Sequence, residues 1–161
     1  MGTTDRRRAT VTLPSETQIL IKREFDLPLD VVYKTWTTPE LVERWWHANR
    51  GEVRLIEIDL RPGGHWRYVM GLPDGTESAF HGEYREVVPG ERIVSTEIYE
   101  GMPDAVALST ETFAEAGEGS VVTILVEHTS KRHRDVQLIT GMEDGLQEAM
   151  DLLEQVASSL R

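Results

Sequence analysis

From Gln18 to Phe25 the chain alternates, with Ile19, Ile21, Arg23 and Phe25 on one side and polar neighbours on the other. A period of two residues belongs to a β-strand with one buried face. Asp26 and Pro28 then open a helix whose apolar stripe is Val31, Val32 and Trp36. Thr38, Pro39 and Glu40 open a second short helix, the threonine as its cap and the proline in its first turn. Leu41, Val42, Trp45 and Trp46 give that helix an apolar face, and it stops before Gly51.

Beyond Gly51 the period returns to two. Strands are predicted over 53–60, 65–70, 77–88, 91–99, 105–113 and 120–128. Pro62-Gly63-Gly64, Pro73-Asp74-Gly75, Pro89-Gly90 and Glu118-Gly119 supply the turns. The pattern changes last at about Arg132. From there to Ser159, Val136, Ile139, Met142, Leu146, Met150, Leu153 and Val156 recur at steps of three and four, the stripe of a long amphipathic helix. Gly141 and Gly145 lower its helix propensity by about 1 kcal/mol each, which points to a close approach of backbone or ligand there. The order is strand, two short helices, six strands, long helix. It predicts an α+β fold: a curved antiparallel sheet of about seven strands wrapped on the C-terminal helix, the short helices closing one end. Residues 1–16 read as a polar tail or edge segment, and 17–161 as one domain.

Side-chain alternation then sorts the aromatic residues. Trp66, Tyr68 and Met70 share one face of their strand and are assigned inward; His65, Arg67 and Val69 share the other. The same logic turns Phe80 and Tyr84 inward, with Gly82 between them leaving room for a ligand or a bulge. His81 and Glu83 then face solvent; a slip of one residue would make them an internal acid–base pair. Trp45 and Trp46 point about 100° apart on a helix, so one packs in the core while the other sits at a cavity mouth.

Composition removes several function classes. With no cysteine, disulfides and thiolate chemistry are excluded. No apolar run reaches about 18 residues, so no membrane-spanning helix is expected, and Met1 to Thr10 lacks the apolar stretch of a secretory signal. The expected location is cytoplasmic. A formal net charge of −11 argues against nucleic acid as a partner, and Arg6-Arg7-Arg8 reads as a solvated tail. The five histidines form no metal motif, and nucleotide-binding and nucleophile-elbow signatures are missing, so neither metal nor cofactor is expected.

Several stretches together resemble a known family: Ile21-Lys-Arg-Glu-Phe-Asp-Leu-Pro28, Trp36 to Leu41, Trp45-Trp46, Asp59 to Met70, Gly82 to Pro89 with Glu91-Arg92, and Thr140 to Gly145. Over roughly 18–158 the chain resembles the START-like (SRPBCC, helix-grip) superfamily, in its bacterial branch related to the activator of the heat-shock-protein-90 ATPase and to polyketide cyclases. The resemblance implies a helix-grip fold with an apolar internal cavity. Because that superfamily includes binders, cyclases and cochaperone-like modules, chemistry has to be argued from the site.

The first expectation is a protein that binds a small apolar or aromatic molecule between sheet and C-terminal helix. Its lining would be Trp36, Trp46, Trp66, Tyr68, Phe80, Tyr84, Met142, Leu146 and Met150. A second is a cyclase- or lyase-type enzyme in the same cavity, its ionisable candidates being His65, His81, Glu83 and Glu97. If Glu97 faces inward, desolvation should raise its pKa. His47, directly after the tryptophan pair, is placed at the cavity entrance. A third is a module that docks on a chaperone, and a homodimer is left open.

Overall fold

The computed structural model describes residues 8–139 and 142–160. Its elements are β1 (Thr10–Thr12), β2 (Gln18–Phe25), α1 (Leu29–Thr37), α2 (Pro39–Val42), β3 (Glu52–Ile58), β4 (His65–Gly71), β5 (Glu77–Val88), β6 (Arg92–Tyr99), β7 (Val106–Ala116), β8 (Gly119–Glu127), α3 (Lys131–Ile139) and α4 (Met142–Ser158). One antiparallel sheet of eight strands has the order β1-β2-β8-β7-β6-β5-β4-β3. From β3 to β8 it is a meander. The chain crosses from β2 to the far edge through α1 and α2, and α4 returns over the inner face and packs on α1. This is the helix-grip arrangement. No helix among the described residues is long and apolar enough to cross a membrane.

β1 is the eighth strand. Thr-Val-Thr is too short to show a period, so alternation could not find it. Two bonds from α4 hold its start: the buried Gln147 amide accepts from Ala9 N–H at 2.9 Å and donates to Ala9 C=O at 2.7 Å. The second helix also differs from expectation. It ends at Val42, and Trp45 and Trp46 lie in the turns after it. Thr38 makes no side-chain cap; its carbonyl instead accepts from Leu41 and Val42 N–H, both at 2.9 Å. Ala48 and Asn49 follow with φ of 50° and 59°, a left-handed pair that turns the chain back toward β3.

The C-terminal helix is described as two segments, and the apolar stripe does not run through both. Ile139, counted in that stripe, is 81% exposed. In α3 the buried residue is instead Arg134, which donates to Ser15 C=O at 2.8 Å. Gly141 lies outside the described residues. Within α4 the stripe holds: Ala149, Met150, Leu153, Val156 and Ala157 are buried against the sheet and α1. Gly145 is not forced by a close backbone approach. A Cβ there would meet only Arg50 Nε, at 3.7 Å.

Arg23 shows how tightly α4 is tied down. Its position on the apolar side of β2 is real, for the side chain is only 1% exposed. It reaches across to α4, donating to Asp151 Oδ1 at 3.1 Å and Glu154 Oε2 at 2.7 Å, and lies 4.9 Å from the Phe25 ring centroid. A guanidinium presents several donors in one plane, so one side chain can clasp two carboxylates a turn apart.

Candidate functional site

The inner face of β4 to β8 and the underside of α4 do not close on each other completely. Between them is a cavity of about 520 Å³. All nine side chains assigned to it in the sequence reach it. Trp36 comes from α1 and Trp46 from the turn after α2. Trp66 and Tyr68 come from β4, Phe80 and Tyr84 from β5. Met142, Leu146 and Met150 form the helical wall. His47 and Arg50 also line it, on the segment joining α2 to β3.

The tryptophan pair divides between core and cavity, though from the turns after α2 and not from a helix. Trp45 is buried, stacks at a tilt on Trp36 with 5.5 Å between ring centroids, and donates its indole N–H to Thr35 C=O at 3.0 Å. Trp46 is partly buried and meets Tyr68 and Phe80 edge-on, at 5.3 and 5.9 Å. Trp66 continues this wall 5.1 Å from Tyr68. Its indole N–H runs across to Thr96 C=O at 3.2 Å, passing over Gly82. Gly82 therefore makes room for an indole, not for a ligand. A Cβ at that position would stand 1.8 Å from Thr96 O and 2.6 Å from Trp66 Nε1. The variant Gly82→Ala is expected to break the indole bond and to cost about 1–3 kcal/mol, as overpacked sites do. A chemical-denaturation midpoint unchanged from the parent would contradict that geometry.

The floor is polar, and the sequence did not announce this. Ser95 of β6 stands opposite Ser109 of β7, both buried. Two residues along each strand, in opposite directions, are Glu97 and Glu111. A diagonal stripe thus crosses the apolar cavity: carboxylate, two hydroxyls, carboxylate. Both glutamates keep some free surface, and it is surface of the cavity, since both line it. Glu111 Oε2 accepts the Trp36 indole N–H at 3.0 Å. Burial nevertheless pushes its pKa up to about 7; the Trp36 bond opposes this and the Glu97 charge adds to it. Glu97 is raised by burial alone. Tyr68 and Tyr84 are raised as well, by burial first and then by Glu111 and neighbouring groups, so both stay protonated.

Of the four ionisable candidates, only Glu97 joins the site. His65 is exposed, and Glu83 pairs with Arg85 at 3.6 Å. His81 lies on the outer face, its Nδ1 2.9 Å from Glu100 Oε2, and Arg67 grips the same carboxylate. The hydrogen bonds from Arg67 and, less, from His81 hold Glu100 down at about 2 against the opposing effect of burial. Trp36, assigned to the lining as an apolar body, proves also to be the donor that orients Glu111. Glu111 itself was missed. Among the described residues no three acidic or histidine side chains gather as metal ligands.

Solved structures share this architecture. A protein from Rhodobacter sphaeroides superposes with a TM-score of 0.88 at 20% identity, over 94% of this chain and 99% of its own. NE0264 from Nitrosomonas europaea gives 0.82 at 24% identity, over 92% and 98%. DynU16, from the dynemicin biosynthetic locus, gives 0.66 at 20% identity, over 88% of this chain and 48% of its own. At such identities the likeness is one of fold. Among curated proteins nothing matches the chain. The family model described as activator of Hsp90 ATPase homolog 1-like protein matches residues 26–158. That stretch runs from the residue after β2 to the end of α4, so the chain belongs to the family of activator of Hsp90 ATPase homolog 1-like proteins.

Proposed function

We propose that the protein binds a small apolar or aromatic molecule in the cavity between the sheet and α4. The observation that carries this reading is an interior volume of about 520 Å³ walled by Trp46, Trp66, Tyr68 and Phe80 on one side and by Met142, Leu146 and Met150 on the other. Ligand sites are typically of about 300–1,000 Å³, mostly apolar, with a few polar groups that orient the occupant. Thioether side chains suit a wall that adapts to its guest.

Leu146→Trp tests it. Extra bulk in a filled core costs about 1–3 kcal/mol, whereas bulk placed in a void costs far less or stabilises. The variant is expected to melt at or above the parent temperature. A neutral apolar dye such as phenylnaphthylamine should bind the native parent and not the variant. A strongly destabilised variant, beside a parent that never binds dye, would return Trp66 and Tyr68 to plain core.

One observation favours a second reading, a cyclase- or lyase-type enzyme in the same cavity. Glu111 is pushed up to about 7, close to working pH, where a carboxyl group exchanges protons with carbon acids most effectively. Its test is deuterium exchange into the methyl group of acetylnaphthalene. Exchange accelerated by the protein and lost in Glu111→Gln would support it; no acceleration would remove it.

A further inference from the structure

We infer that the ligand is an organic cation: a flat apolar body bearing a protonated amine, held by the carboxylates of Glu97 and Glu111. This rests on the reading of the cavity as a ligand site and names what that site selects.

The two carboxylates are short of partners. Glu97 is walled in by protein and has no hydrogen-bond or ionic partner among the described residues. Glu111 lines the same cavity and has one donor, the Trp36 indole, on Oε2; Oε1 has none among the described residues. Buried charge is ordinarily matched by an opposite charge or neutralised by protonation. Here the protein supplies no match. Among the described residues the one arginine in the lining, Arg50, pairs with Glu148 at 3.7 Å, and no lysine lines the cavity. Every group that bears on Glu111 from the packed elements is an acid or a neutral ring: Trp36 and Tyr33 from α1, Tyr68 from β4, Tyr84 from β5, Glu97 from β6.

The remaining features fit a cation. Ser95 and Ser109 lie between the carboxylates and add acceptor oxygens. Aromatic faces attract a desolvated ammonium, and Trp46, Tyr68 and Phe80 line the same cavity as the stripe. An anionic ligand would become a third negative charge beside Glu97 and Glu111. A net charge of −11 also raises the local concentration of cations around the molecule.

Three probes of one shape separate the possibilities: naphthylmethylamine, naphthylmethanol and naphthoate, titrated by calorimetry at about pH 8, where a carboxyl of pKa near 7 is ionised. The amine should bind at least about tenfold tighter than the alcohol, the worth of one charge-assisted hydrogen bond, and naphthoate weakest. In Glu111→Gln and in Glu97→Gln the amine-to-alcohol ratio should fall toward one. All binding should vanish in Leu146→Trp. If the alcohol binds the parent as tightly as the amine, the cation inference fails while the cavity reading stands. If no probe binds, the cavity reading fails and takes the inference with it. Amine binding that survives in Leu146→Trp would place the amine outside the cavity and overturn the inference.

Discussion

Glu111→Gln is expected to be more stable than the parent at about pH 8, by about 3 kcal/mol, and equal to it below about pH 4.5. The sign follows from where the proton goes. Glu111 holds its proton up to about 7 in the fold, against an ordinary 4.5 in the unfolded chain. Below 4.5 both states are protonated, and the folded carboxyl costs nothing. As pH rises from 4.5 toward 7 the unfolded chain releases its proton first, so stability falls across that window. Above 7 the folded group is ionised too, and the loss is complete. Glutamine keeps the size and can still accept the Trp36 N–H, but it carries no charge to bury. Glu97 slopes in the same direction. Glu100, held at about 2, slopes the other way but below 4.5, outside the window. His128, lowered mainly by burial, slopes oppositely near neutral pH; it is common to both proteins and cancels in their difference. Denaturation midpoints of parent and variant across this range check it. A difference independent of pH would mean that Glu111 titrates as an open surface carboxylate.

Why Glu111 escaped the sequence is a lesson in what alternation measures. In β7 the inward residues are Ala107, Ser109, Glu111 and Phe113; the opposite face carries Val106, Leu108, Thr110 and Thr112. In β6 the inward set is Ile93, Ser95 and Glu97, against Val94, Thr96 and Ile98 outside. On hydropathy the outer faces look like the core, and Val106 and Leu108 are 37% and 38% exposed. A period of two fixes which residues travel together, not which set is inside. β4 and β5 were legible because their inward sets are aromatic: Trp66, Tyr68, Phe80 and Tyr84 have no comfortable place in water. The turns were legible for a local reason. Gly63, Gly75 and Gly90 have φ of 85°, 89° and 75°, which side chains resist. β1 was not, because long-range bonds from Gln147 hold it, and no local pattern encodes those. Nor was the pairing of β2 with β8, which brings together residues about a hundred positions apart. Inward polar residues that line a cavity, unlike Arg23 with its two carboxylate partners on α4, are the mark of a site in such a sheet.

Ending the chain at Ile139 is expected to abolish cooperative folding. That truncation removes α4, and with it Met150, Leu153 and Val156, all buried against the sheet and α1. Each such side chain contributes about 1.5–3 kcal/mol, so three approach the whole stability of a domain, about 5–15 kcal/mol. The charged clasp goes too. Arg23, 1% exposed in the fold, would lose Asp151 and Glu154 together and stand on an apolar face with no counter-charge. The inner faces of β2 and β8 would open to water, and Gln147 would no longer hold Ala9 and the start of β1. The truncated chain should therefore give no sharp thermal transition and should aggregate on expression. A milder variant separates the helix's packing from its mere presence. Leu153 is fully buried, and Leu153→Ala in the full chain should cost about 2–5 kcal/mol while the protein still folds. A truncated chain that melts cooperatively near the full-length temperature would show that the sheet stands alone. The cavity would then be an open face, and the helical wall of Met142, Leu146 and Met150 would have no part in closing it.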